Sequence, residues 1–124
     1  MIKFVIGVAP KTKKNSQQII RLKGKPRIIP SKLYKKYEKD SAPFIPNIET
    51  INYPINLKCI YYMPTRRKVD LNNLLEATTD MLVHYKVLED DNSKIVVSHD
   101  GSRVRYDKNI PRTEIFIDRI EEDV

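Results

Sequence analysis

Six acids, Asp70, Glu76, Asp80, Glu89, Asp90 and Asp91, fall between Lys68 and Asp91 of a chain whose formal net charge is +7. Carboxylate oxygens suit a hard divalent cation such as Mg2+, which takes a few of them and completes its shell with water and substrate phosphates. A cation so held reverses the local sign of charge, so an acidic patch can receive a polyanion. The chemistry this serves is phosphodiester hydrolysis, in which the metal activates water and stabilises the attacking and leaving oxygens. Directly ahead of Asp70 stands the basic run Arg66-Arg67-Lys68, suited to holding phosphates. Each acid also has an ordinary structural use. Asp70 or Asn73 can cap a helix, Asn73 to Glu76 matches a capping box, and Glu89 to Ser93 has a turn's composition. The combination of acids and adjoining cations favours a site.

These residues need a helix and a turn to hold them. With a step of 100° per residue from Asn73, the side chains of Leu74, Leu75, Thr78, Met81, Leu82 and Tyr85 share one apolar stripe. Asn73, Glu76, Ala77, Asp80 and His84 fall on the opposite side, with Glu76 and Asp80 one turn apart on a polar ridge. Asp70 precedes this helix, and Asp90-Asp91 follow it in the turn that begins the next strand. Upstream, IKFVIGV alternates as a strand, and QIIRLKGKPRIIP reads as a hairpin turning at Gly24-Lys25, with Pro26 limiting its second strand. Ser31 is a candidate N-cap for a short helix bearing Leu33, Tyr34 and Tyr37. INLKCIYYM alternates with a second face that is not fully polar, which predicts partial cover by a helix or a partner subunit. Asp100-Gly101 is compatible with a hairpin or with a bulge in one long strand. The order of elements predicts a single α+β domain over residues 1–124, a small mixed β-sheet with two main helices packed on it.

Charge is unevenly spread. Residues 1–69 hold 16 Lys and Arg against Glu38, Asp40 and Glu49, and residues 70–124 hold 7 against 13 acids. Such a split offers a cationic surface to a polyanion, of which nucleic acid is the commonest. The segments APKTKKN, RLKGKPR and TRRK are the candidate phosphate contacts, with Lys11, Lys13, Lys14, Asn15, Arg66, Arg67 and Lys68 foremost. Arg103 and Arg105 are weaker candidates, since acids of the second half can pair with them. The lone Cys59 excludes an internal disulfide and a cysteine-based zinc cage, reads as a buried strand thiol and fits a reducing cytoplasm. His84 and His99 lack zinc-site spacing. No apolar run is long enough to span a bilayer, so no membrane partner is expected, and MIKFVIGVAP is too short and wrongly flanked for a secretory signal.

VDLNNLLEATTDMLVHYKVLEDDNSKIV resembles the core of the RusA-type Holliday-junction resolvases, small dimeric Mg2+-dependent endonucleases often encoded by prophages. Their motif runs Asp-x-Asp-Asn-x-x-Lys-x-x-x-Asp-x-Leu, with an Asp-Asp pair roughly ten residues on. Asp70, Asn73, Asp80, Leu82, Asp90 and Asp91 match it, and the flanks PKTKKNS, SKLYKKYE and the basic run ahead of Asp70 are also similar. The resemblance implies a homodimer that binds four-way DNA junctions and makes paired nicks in DNA recombination and repair, with Mg2+ (Mn2+ as a possible substitute). It implies Asp70 and Asp91 as metal ligands, with Asp90 assisting.

Two positions depart from the motif: Asn72 replaces the second Asp, and Glu76 replaces the Lys. An amide carbonyl can ligate a metal without bringing charge, and glutamate cannot supply a cation. One expectation is therefore a relocated ligand, with Asp70, Glu76 and Asp91 catalytic and holding the metal. Asn72 and Asp90 then complete the ligand set, Asn73 and Asp80 support it, and the missing cation comes from Lys68, Lys94 or a lysine of KTKKN. The alternative is a catalytically degenerate protein that binds branched DNA without cutting it. An RNA-binding or regulatory module is a third reading, against which stands the absence of an RNP-like aromatic signature.

Overall fold

The computed structural model describes residues 1–13, 17–22, 24–30 and 32–121, and of 17–22 and 26–30 the backbone course alone. The strands are β1 (Ile2–Ile6), β2 (Gln17–Leu22), β3 (Lys25–Pro30), β4 (Ile55–Met63), β5 (Val96–Ser98), β6 (Arg103–Tyr106) and β7 (Arg112–Arg119). The α-helices are α1 (Lys32–Ser41) and α2 (Leu71–His84). β2 and β3 form a separate antiparallel ribbon that turns at Gly24, whose φ of 79° is the left-handed conformation the predicted turn requires. Ser31, the expected cap of α1, lies outside the described residues, as do Lys14 and Asn15.

The remaining five strands make one mixed sheet. β7 lies between β1 and β4 and is antiparallel to both, so β1 and β4 point the same way. The register is explicit: Ile6 and Tyr61 both lie opposite Thr113. Beyond β4 the outer edge is shared, β5 pairing with Ile55–Asn56 and β6 with Ile60–Met63, each parallel to β4. Asp100-Gly101 is thus a bulge in one edge, and not a hairpin. Asn56 holds it in place, its side-chain carbonyl accepting from Ser98 Oγ at 2.6 Å and the Asp100 amide at 2.8 Å. Gly101 has φ of 87°, and a Cβ there would stand 2.8 Å from Lys58 Cδ.

Alternation along β4 sends Ile55, Leu57, Cys59 and Tyr61 into the core with Ile115 and Ile117 of β7. Leu74, Leu75, Met81 and Leu82 of α2, and Tyr34 and Tyr37 of α1, bury against them. Tyr61 OH and Thr78 Oγ1 share a buried hydrogen bond of 2.6 Å that ties α2 to the sheet. Burial pushes the Cys59 thiol up to about 12, so it is inert packing, as expected. No helix among the described residues is long and apolar enough to cross a membrane.

The opposite sheet face, with Lys3, Lys58, Phe116, Tyr62 and Arg112, is intermediate or exposed. Its rings are covered by cations, Lys58 and Lys3 approaching the Phe116 ring at 4.5 and 5.1 Å and Arg112 lying 3.8 Å from the Tyr62 centroid. The partial cover expected over β4 therefore includes the long side chains of its own sheet.

α2 ends in a Schellman turn, in which the Lys86 amide donates to Val83 O and the Val87 amide to Leu82 O. This turn places Lys86 at φ 62°, where a β-carbon crowds the following carbonyl. The strain is held by bonds from Thr50 Oγ1 to Lys86 O and from the Ile51 amide to Val87 O. Lys86→Gly removes the clash and concedes some unfolded-state entropy, so the expected net gain is about 0.5–1 kcal/mol, read as a melting midpoint raised by roughly 2–5 °C. A lowered midpoint contradicts this assignment of strain.

Candidate functional site

The parallel course of β1 and β4 brings their C-terminal exits to one end of the sheet, two strand spacings or about 10 Å apart. Residues 10–13 leave β1 there, residues 64–70 leave β4 there, and β6 ends beside them with Tyr106 opposite Met63. The two basic runs of the sequence thereby meet. Lys11, Arg67 and Lys68 stand around one cleft of about 550 Å3, which also includes Val69 and Leu74 at the start of α2. Arg66 lies 4.2 Å from the centroid of the Tyr106 ring. Lys11, Arg66, Arg67 and Lys68 are exposed, and no described carboxylate forms an ion pair with them. Arg103 and Arg105 likewise pair with no described acid, whereas Arg112 is held by Asp107 at 2.9 Å and Glu114 at 3.1 Å.

Asp70 is the N-cap of α2. Its Oδ1 accepts from the Asn72 amide at 2.8 Å and the Asn73 amide at 3.4 Å, so the cap is Asp70 and not Asn73. Negative charge is stabilised there by the helix dipole, and Oδ2 is left for other partners. Asn72 and Glu76 are exposed on α2, and Asn73 is half-buried. The predicted polar side of α2 proves narrower than the wheel implies. Ala77 is buried, because Tyr34 of α1 lies against it and donates to its carbonyl oxygen at 3.3 Å.

Asp80 pairs with Lys13 at 3.1 Å, and the same ammonium lies 5.4 Å from the Tyr34 ring centroid. A cation from the KTKKN loop thus stands one helical turn from Glu76, where the family motif carries its lysine. Sequence reasoning offered three sources for that charge, and spacing alone had no means of choosing among them.

Asp90 and Asp91 are exposed in the turn after α2. Asp90 holds that turn, accepting from the Asp91 amide at 2.7 Å and from Asn92 Nδ2 at 3.2 Å, which keeps its carboxyl below the ordinary range. Asp91 is shifted the other way. Its hydrogen bond with Asp90 favours the protonated form, slight burial adds to this, and the charges of Asp90 and Asp80 oppose ionisation. The turn thus brings Asp91 into the electrostatic field of Asp80.

The donor set, carboxylates and an amide carbonyl, suits a hard cation. Among the described residues, no three acid, histidine or cysteine side chains converge on one metal position. Asp70 and Asp80 are ten residues apart along α2, about 15 Å of rise. Any divalent ion held here would take one or two of these carboxylates and complete its shell with water and substrate phosphates. His84 lies 3.6 Å from Glu38, and His99 Nδ1 contacts Leu57 O at 2.8 Å, so both have structural neighbours.

Residues 8–118 match the family described as Endodeoxyribonuclease RusA. The chain belongs to the RusA endodeoxyribonuclease family. The match covers nearly the whole chain, from the β1 exit through β7, and so includes both basic runs, α2 and the Asp90-Asp91 turn. RusA membership implies a DNA endonuclease with Holliday-junction resolvase activity. No curated protein matches the chain.

The Asp91 environment has a measurable consequence. A group whose pKa rises on folding favours the fold while protonated and ceases to as pH climbs through its folded value. Asp91→Asn, a neutral side chain that still donates to Asp90, should raise the metal-free melting midpoint slightly near neutral pH. The gain should vanish as pH falls into the ordinary aspartate range of about 3.9, where Asp91 is protonated anyway. An unaltered midpoint at neutral pH contradicts the crowding.

Proposed function

We propose that the chain is a homodimeric, Mg2+-dependent crossover junction endodeoxyribonuclease that binds four-way DNA and makes paired nicks, acting in the cytoplasm in recombination and repair. The observation that carries this reading is the meeting of both basic runs with the capped start of α2 at one end of a RusA-family sheet. Lys11, Lys13, Arg66, Arg67 and Lys68 contact phosphates and set affinity more than sequence preference, and Lys14 and Asn15, outside the described residues, are further candidates by sequence. Two symmetric cuts require two sites related by a two-fold axis, which a homodimer supplies.

Within this reading, Asp91 is the carboxylate a cation helps most, because its hydrogen bond with Asp90, slight burial and the charge of Asp90 oppose its ionisation. Asp90 keeps the turn in shape, and Asp70, Asn72 and Glu76 offer further oxygens along α2, with Asn73 supporting the capped turn. Mg2+ (or Mn2+), when bound, activates water and neutralises charge at the cleaved phosphate. Lys13, held over Asp80, supplies the positive charge that Glu76 does not.

A second reading is a branched-DNA-binding protein that does not cut. It is favoured by Asn72 and Glu76 at two motif positions and by the lack of three convergent acids among the described residues. One assay separates the two: a synthetic mobile four-way junction and a linear duplex, each incubated with Mg2+ or Mn2+. The nuclease nicks the junction symmetrically and spares the duplex. Asp70→Asn and Asp91→Asn should each slow nicking by about 100-fold or more while junction binding is retained or tightened. Glu76→Ala should slow it too if Glu76 is a relocated ligand. Tight junction binding with no nicking in either metal establishes the binder, and equal nicking of duplex and junction overturns the structure-specific reading.

A further inference from the structure

The cleft between the two basic runs has a feature that phosphate binding does not use. Among its cations Lys11, Arg67 and Lys68 and the polar Thr12 and Thr65, the cleft also presents the apolar side chains of Leu33, Met63, Pro64 and Val69. Leu33 is 61 % exposed. It stands on α1 beside Lys32, Lys35 and Lys36, where a solvated side chain is the rule and nothing in the core requires a leucine. A sugar–phosphate backbone gains little from such a lining. A ligand with a flat apolar ring and a flanking anion gains from both parts.

We propose that this cleft receives a nucleobase unstacked from the bound DNA, at or next to the strand crossover, while Lys11, Arg67 and Lys68 hold its flanking phosphates. The inference rests on the junction-binding reading above and adds to it a base-sized subsite beside the start of α2. Two observations and one general precedent support it. The volume of about 550 Å3 lies within the range of small-ligand clefts, about 300–1,000 Å3. The rim carries three cations and no acid, which complements a nucleotide and opposes an aliphatic peptide of no charge. Enzymes that extrude a base hold it between apolar or aromatic side chains, and extrusion is least costly where stacking is already broken, as it is at a crossover. Apolar wedges of Leu, Met and Pro are also among the side chains that separate base steps.

The test uses the full-length protein and a four-way junction carrying 2-aminopurine at one position at a time on either side of the crossover, without divalent metal. 2-Aminopurine brightens on unstacking, and none of the cleft's lining residues is aromatic, so a base seated there stays bright. Binding is followed separately through a distant dye on one arm. One position should brighten several-fold with the wild-type chain, and Leu33→Gln, a change at an exposed site, should abolish that signal. Leu33→Gln should also weaken junction affinity, by about tenfold for a buried leucine contact. Removing the base at the responsive position should weaken wild-type binding and leave Leu33→Gln binding unchanged, since the variant has no subsite to lose. Junction binding with no brightening at any position overturns the subsite and leaves the junction-binding reading intact. Brightening that Leu33→Gln retains places the unstacked base elsewhere and also overturns it. Absence of junction binding by the wild-type chain overturns both.

Discussion

The antiparallel seating of β7 between β1 and β4 is the constraint on which the site depends. Thr113 lies opposite Ile6 on one side and Tyr61 on the other, so two strands far apart in sequence leave the sheet at one end. The register is fixed by burial. Ile6, Leu57, Cys59 and Ile115 all face the helices with no exposure, and a slip of one residue in any strand would turn that strand's apolar set outward. The apolar alternation that folds the sheet therefore also brings Lys11 towards Arg67 and Lys68. These three cations repel one another, and core burial elsewhere must offset that cost. An unsatisfied cationic cleft is expected of a surface whose partner is a polyanion.

The acids are managed differently from the cations. Asp70 is stabilised by two amides and the dipole of α2, Asp80 by Lys13, and Asp90 by the turn it organises. Among the described carboxylates, Asp91 alone carries a shift that opposes its charge. A divalent ion bound there would relieve that opposition, which is why Asp91 leads the proposed ligand set. Lys13 links the two charge systems, since it leaves the basic loop and lies across Tyr34 to reach the acidic ridge of α2.

Much of this was legible in sequence where one local rule dominates. The apolar stripe of α2, the alternation of β4 and the glycine turn of the ribbon each follow from a single period or a single left-handed residue. The resemblance to RusA proteins rested on residues of α2 and its following turn, and the family match extends it across the chain. What stayed hidden depends on pairs distant in the chain. Ala77 falls on the polar side of a helical wheel, yet Tyr34, 43 residues earlier, buries it. Leu33 fits an apolar stripe with Tyr34 and Tyr37, yet stands exposed at the cleft while they are buried. The Asp100-Gly101 bulge needed the side chain of Asn56, and the Lys13–Asp80 pair needed the loop after β1 to lie along α2. Charge counts showed that cations and acids were segregated, and only the sheet topology showed where they adjoin.

In the proposed function, DNA meets the end of the sheet where β1 and β4 exit. The salt dependence of four-way-junction affinity tests it most directly, because each lost phosphate contact reduces the slope of log affinity against log salt by roughly 0.7–0.9. The triple variant Lys11→Ala, Arg67→Ala, Lys68→Ala should reduce the magnitude of that slope by about two to three. A charge-matched control at the exposed Lys3, Lys39 and Lys86 should leave it unchanged. An unaltered slope in the cleft variant, with a reduced slope in the control, would place the DNA on another face and contradict the account.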